Sequence, residues 1–123
     1  MRRLAFLFII VFLVMFYSCK KTNIPPYAPS IPIGESLGFI NTNYNYNSSA
    51  SDIDGDRVAI RFAWGDGDTS SWGFFGAPDS DITKHHTWTE AGFYIIRAQA
   101  KDEHDDVSGW SNLHQIMISN FNK

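Results

Sequence analysis

The chain has 123 residues, 10 Lys+Arg against 13 Asp+Glu for a formal net charge of -3, one cysteine and 15% aromatic residues. That length leaves room for one domain of about 100 residues and no second, and the excess of acid argues against a nucleic-acid partner, whose phosphates are held by clustered Lys and Arg. A lone cysteine excludes an internal disulfide, so the core has to hold by packing, to which each aromatic ring can contribute about 150 to 250 Å² of burial.

Arg2 and Arg3 precede an apolar run from Leu4 to Tyr17, which ends at Ser18 and the single Cys19. A basic start, a short apolar stretch and a small residue before a break make residues 1–18 a secretory signal; the run falls short of the roughly 20 residues of a membrane span. The placement of Cys19 resembles the cleavage site of bacterial lipoproteins, in which the cysteine takes lipid and becomes the mature N-terminus. Phe16 and Tyr17 depart from the residues usual there, and the alternative is an uncleaved N-terminal anchor. On the lipoprotein reading the mature chain lies outside the cytoplasm, anchored through Cys19 at the envelope or cell surface, with eight Lys+Arg left against 13 acids.

Residues 19–27 read as a Pro-rich tether. The folded domain then spans 28–120, and Ala28 to Ile33, rich in proline, suits only an edge strand. Tyr44, Tyr46, Ser48 and Ala50 alternate with Asn43, Asn45, Asn47 and Ser49, a period of two that predicts a strand with the tyrosines on one face. Val58, Ile60, Phe62 and Trp64 form a second alternating set, with a wholly apolar face directed to the core. In a third, Tyr94, Ile96, Ala98 and Ala100 point inward while Ile95, Arg97, Gln99 and Lys101 point outward. Leu113 to Ser119 is an apolar strand whose parity slips between Leu113 and Ile116, predicting a bulge or an irregular start. After residue 20 no segment has a 3.6-residue apolar period, so the expectation is an all-β sandwich.

Asp52, Asp54 and Asp56 alternate around Gly55 between the first two of these strands. Three neighbouring carboxylates repel unless a cation is near, and calcium takes several oxygen ligands from flexible loops. The spacing is not an EF-hand, since Arg57 and Ala63 stand where that loop needs Gly and Glu. The competing reading is that the aspartates cap a tight turn by accepting backbone N–H bonds.

Trp64-Gly65-Asp66-Gly67 closes the second strand with two glycines free to take positive φ. Neither Asp66 nor Asp68 has a sequence partner that marks an acid–base pair, and the chain carries no Gly-x-Ser-x-Gly or HExxH motif, so no enzymatic function is expected. His85 and His86 are adjacent and face opposite ways on a strand, a poor zinc pair. Trp72, Phe74 and Phe75 lie in a glycine-containing loop and are the candidate ligand contacts, able to stack on sugar rings or to anchor a protein; the alternative is that Trp72 covers the core.

Taken in order, Asp52-Ile53-Asp54-Gly55-Asp56, Phe62-Ala63-Trp64-Gly65-Asp66-Gly67, His86-Thr87-Trp88, Gly92-Phe93-Tyr94 and Trp110-Ser111 resemble the PKD (polycystic kidney disease) domain. Ala63 departs from the pattern, which often has Asp between its two aromatics. The resemblance implies an immunoglobulin-like β-sandwich of about seven strands, common on secreted and surface proteins, acting as a non-catalytic module for protein or polysaccharide. In some of its members acidic residues of this turn bind calcium. In such a sandwich the loop between the Tyr44 and Val58 strands and the loop that follows the Tyr94 strand share one end, which would bring Asp102, Asp105 or Asp106 towards Asp52, Asp54 and Asp56; Asp102 is therefore the fourth candidate ligand. The resemblance also implies a structural His86 and a tyrosine corner at Tyr94. A second function, in which the domain only spaces other parts at the membrane and binds nothing, stands beside the interaction module.

Overall fold

Alternation in the sequence becomes two facing sheets in the computed structural model, which describes residues 22–121; the signal segment and Cys19 lie outside the described residues. The strands are β1 (Leu37–Phe39), β2 (Asn43–Ser48), β3 (Val58–Ala63), β4 (Ile82–Thr87), β5 (Gly92–Asp102), β6 (Val107–Trp110) and β7 (His114–Ser119). β5, with 11 residues, is the spine of the larger sheet. One edge of β5 pairs antiparallel with β3, from Val58↔Asp102 to Ala63↔Arg97. The other edge pairs first with β7, from Gly92↔Ile118 to Ile96↔His114, and then with β6 at Gln99↔Trp110 and Lys101↔Val107. β1 adds to β7 in parallel. β2 and β4 form the second sheet, antiparallel from Asn43↔Thr87 to Ser48↔Ile82.

The proline-rich segment lies along the open edge of β2, where a missing N–H costs least. Tyr27, Ser30 and Ile33 donate backbone N–H bonds to Ser51, Ser49 and Asn47 at 3.0, 2.9 and 2.9 Å, with Pro26, Pro29 and Pro32 buried beneath. The chain then crosses to the larger sheet and becomes β1, so one stretch serves an edge of both sheets. The tether expected over residues 19–27 is docked on the sandwich in its described part, because Asn23, Ile24 and Tyr27 all make hydrogen bonds to it.

Every second residue of β3 and β5 points inward, as the pattern predicts: Val58, Ile60, Phe62, Trp64, Ile96, Ala98 and Ala100 are buried. The centre is aromatic. Trp88 meets Trp64 and Tyr46 edge to face at 6.1 and 6.2 Å, and Phe62 stacks on Trp64 at 5.2 Å. The parity slip before β7 is a strand break: Ser111 turns inward, its Oγ accepting the Ala98 N–H at 2.9 Å, and a regular inward set resumes at Ile116 and Ile118.

Candidate functional site

Two loops lie at one end of the sandwich, one joining β2 to β3 and one joining β5 to β6, and both are built on the same turn. In the first, Asp52 Oδ1 accepts the N–H groups of Asp54 and Asp56 at 2.9 and 3.3 Å, the Gly55 N–H bonds the Asp52 carbonyl at 3.0 Å, and Gly55 sits at φ 73°. In the second, Asp102 Oδ1 accepts those of His104 and Asp106 at 2.9 and 3.1 Å, the Asp105 N–H bonds the Asp102 carbonyl at 3.1 Å, and Asp105 sits at φ 65°. An aspartate that bonds its own backbone two residues on is ordinary turn chemistry. Its repetition at both loops accounts for Asp52 and Asp102, and leaves the remaining carboxylates to be explained.

The second oxygens separate the two turns. Asp102 is fully buried, and its Oδ2 accepts the Asn23 side-chain amide at 2.7 Å; the same amide reaches Asp106 Oδ2 at 2.6 Å. Burial alone would raise the Asp102 pKa, but the bonds from Asn23 and from the N–H groups of Asp106 and His104 outweigh it and hold the carboxyl below its ordinary value. In the first turn Asp52 Oδ2 and Asp56 Oδ2 are buried without a hydrogen-bond partner. His104 Nε2 stands 3.5 Å from Asp56 Oδ2, too far for a sound hydrogen bond. Burial, then the charge of Asp52, push the Asp56 pKa up, and His104 only partly opposes them.

Asp52, Asp54 and Asp56 each offer an oxygen, all within 4.8 Å of one another. Asp54 and Asp56 border a cleft of about 260 Å³, lined also by Thr22, Asn23 and His104. The sequence-predicted ligands thus divide: the first three converge, while Asp102 lies in the sister turn with both oxygens already engaged. Two participants were not predicted. Asn23 lies 79 residues from Asp102 and looked like linker, and His104 follows an apparently simple acidic run. The signal that was available is the repeat of Asp-x-x-x-Asp, each copy adjoining a strand.

At the other end, Asp66 and His86 join the Trp64-Gly65-Asp66-Gly67 turn to β4. His86 Nε2 lies 2.7 Å from Asp66 Oδ2, and its ring stacks on Trp64 at 4.8 Å and meets Trp88 edge-on at 4.7 Å. This arrangement fixes a turn against the core; His85 faces outward and the two imidazoles do not converge. Tyr94 donates its hydroxyl to the Glu90 carbonyl at 2.6 Å, forming the tyrosine corner.

The aromatic loop runs back along the free edge of β3. Ser70 N–H bonds Phe62 O at 2.8 Å, and Val58 and Gly76 exchange bonds at 2.9 and 2.8 Å. Of the three candidate contacts, Trp72 lies against Arg61, whose guanidinium carbon is 4.6 Å from the ring centre; Phe75 is half-buried near Lys101; Phe74 is 96% exposed.

No family model matches this sequence, and no curated protein does. Solved structures do. The PKD domain of an M14-like peptidase from Thermoplasmatales archaeon SCGC AB-540-F20 superposes with a TM-score of 0.73 at 33% identity, over 80% of this chain and 100% of that one. The chain belongs to the PKD domain family. A CARDB domain from Pyrococcus furiosus, solved in complex with di-metal ions, shares the fold at TM-score 0.57 and 16% identity, over 83% of this chain and 100% of that one. A solution structure of the same CARDB domain gives 0.54 at 16%, over 79% and 97%. PKD domains are a non-catalytic type of module, and the sandwich of this one is the immunoglobulin-like fold expected from its motifs.

Proposed function

We propose that this PKD domain is an interaction module for a protein or polysaccharide, held outside the cytoplasm by lipid on Cys19 and stabilised by calcium in the turn Asp52–Asp56. The observation that carries the calcium reading is the pair of buried carboxylate oxygens, on Asp52 and Asp56, that no donor among the described residues satisfies. Buried acceptors without partners cost stability, and an all-oxygen set on a loop is what a hard cation takes. Asp52, Asp54 and Asp56 would hold the ion. Bound there, calcium would meet the unsatisfied oxygens of Asp52 and Asp56, while Asp52 Oδ1 stays on the turn's own N–H groups.

The test is the thermal melt of the full-length chain in chelator and then in millimolar calcium. Free ion at 100 times its dissociation constant adds about 2.7 kcal/mol, a rise of roughly ten degrees or more for a domain of this size. Asp52→Asn keeps an oxygen for the turn and removes the charge, and should abolish the rise. An unchanged melt of the parent chain would reduce the acidic turn to a structural device.

A further inference from the structure

Across the outer face of the larger sheet, cations and aromatic rings alternate. Arg61 Cζ lies 5.3 Å from the Trp110 ring centre and 4.6 Å from that of Trp72; Lys101 Nζ lies 5.0 Å from Trp72 and 5.9 Å from Phe75. Cross-strand register sets the order, because Arg61, Gln99 and Trp110 stand opposite one another on β3, β5 and β6. Gln99 Oε1 accepts two Arg61 bonds, from Nε at 3.0 Å and Nη2 at 2.8 Å, and its amide donates to Ser108 O at 2.9 Å, so the guanidinium cannot swing away. Beyond Trp110 the row continues as an open groove of about 310 Å³ lined by Ala63, Gly65, Ile95, Arg97 and Trp110. Trp110 is 41% and Ile95 45% exposed, and Arg97 is exposed beside them.

The charge of this face opposes that of the rest of the molecule. The chain is acidic, yet among the described residues no carboxylate pairs with Arg61 or Arg97, and Lys101 has only a 3.5 Å contact to the largely exposed Asp105. We infer that this face is a binding site for an acidic polysaccharide, in which the C–H face of a uronic acid ring lies on the groove side of Trp110 and carboxylates of the chain meet Arg97 and Lys101. Rings fixed by neighbouring cations lose little freedom on binding, and a guanidinium pairs a carboxylate through two parallel N–H bonds.

The inference rests on the reading of the chain as an interaction module, and the experiment separates the two. The full-length chain is titrated calorimetrically, in chelator, with tetragalacturonate, its methyl ester, an oligothymidylate and an oligoglutamate. The expected result is binding of tetragalacturonate alone, weakened about tenfold or more by Arg97→Gln and lost in Trp110→Ala. Arg97 is exposed, so its variant keeps the test decisive where Trp110→Ala does not fold. Equal binding of acid and ester, or preference for the oligothymidylate or the oligoglutamate, overturns the uronate site and leaves an interaction module. Failure of all four to bind overturns the uronate site and removes support from the module as well.

Discussion

The two turns at the end of the sandwich share one backbone design and differ in what satisfies their charge. In the Asp102 turn, a residue from the far N-terminal side inserts its amide between two carboxylates, and every oxygen of Asp102 is engaged. In the Asp52 turn two buried oxygens, on Asp52 and Asp56, have no hydrogen-bond donor among the described residues. Turn chemistry thus explains the first aspartate of each loop; Asp54 Oδ2 accepts the Ile24 N–H at 2.8 Å, and Asp56 is the carboxylate that neither serves. One turn is a finished structural joint; the other keeps two buried oxygens, on Asp52 and Asp56, without a hydrogen-bond partner among the described residues.

Asp102→Ala should have the largest effect. It strips an acceptor from two backbone N–H groups and from Asn23, and should cost about 3 kcal/mol or more, read as a drop in melting temperature that calcium does not restore. Asn23→Ala comes next, at about 2 kcal/mol for two bonds to carboxylates. Because those bonds help depress the Asp102 pKa, this variant should also lose stability at a higher pH on acidification. The sign follows from linkage: a lowered native pKa gives stability that is present above the unfolded value and is lost as pH falls through the native one. Asp52→Ala in chelator should cost about 1 kcal/mol or less, since the lost turn bonds are offset by removal of an unpartnered buried oxygen. Equal losses in Asp52→Ala and Asp102→Ala would break the comparison.

Asp56→Asn is the smallest change and the only one expected to stabilise. A raised native pKa favours the protonated form, so the Asp56 carboxylate detracts from stability as pH rises through its native pKa. In chelator the variant should melt slightly higher than the parent at pH 7, and the two should converge below the ordinary carboxylate pKa. With calcium the order should reverse.

Much of this architecture was legible because burial enforces a period of two. β3 shows the clearest case, where Val58, Ile60 and Phe62 all reach the core as their parity dictates. The His86 and Tyr94 contacts were likewise foreshadowed by short motifs, being local or near-local. The repeat of the turn was hidden because the second copy places Asp105, and not glycine, at positive φ. Asn23 was unreadable for a different reason: its partners are 79 and 83 residues away, and no local pattern encodes such a pairing. The ladder on the outer face has no local signature for the same cause, since Arg61, Trp72 and Trp110 meet only after three separate segments are registered. Trp72 alone could be read as either cover or contact.

The parallel pairing of β1 with β7 has a mechanical consequence. β7 runs towards the end of the sheet where Gly92 pairs with Ile118, while Asn23 is fastened at the opposite end beside Asp102. Tension applied through the two ends of the described chain would draw β1 and β7 past each other along their length. Bonds at Leu37↔Met117, Gly38↔Ile118 and Phe39↔Ser119 would share that load at once, and the sandwich would resist as a sheared joint in place of opening like a zip.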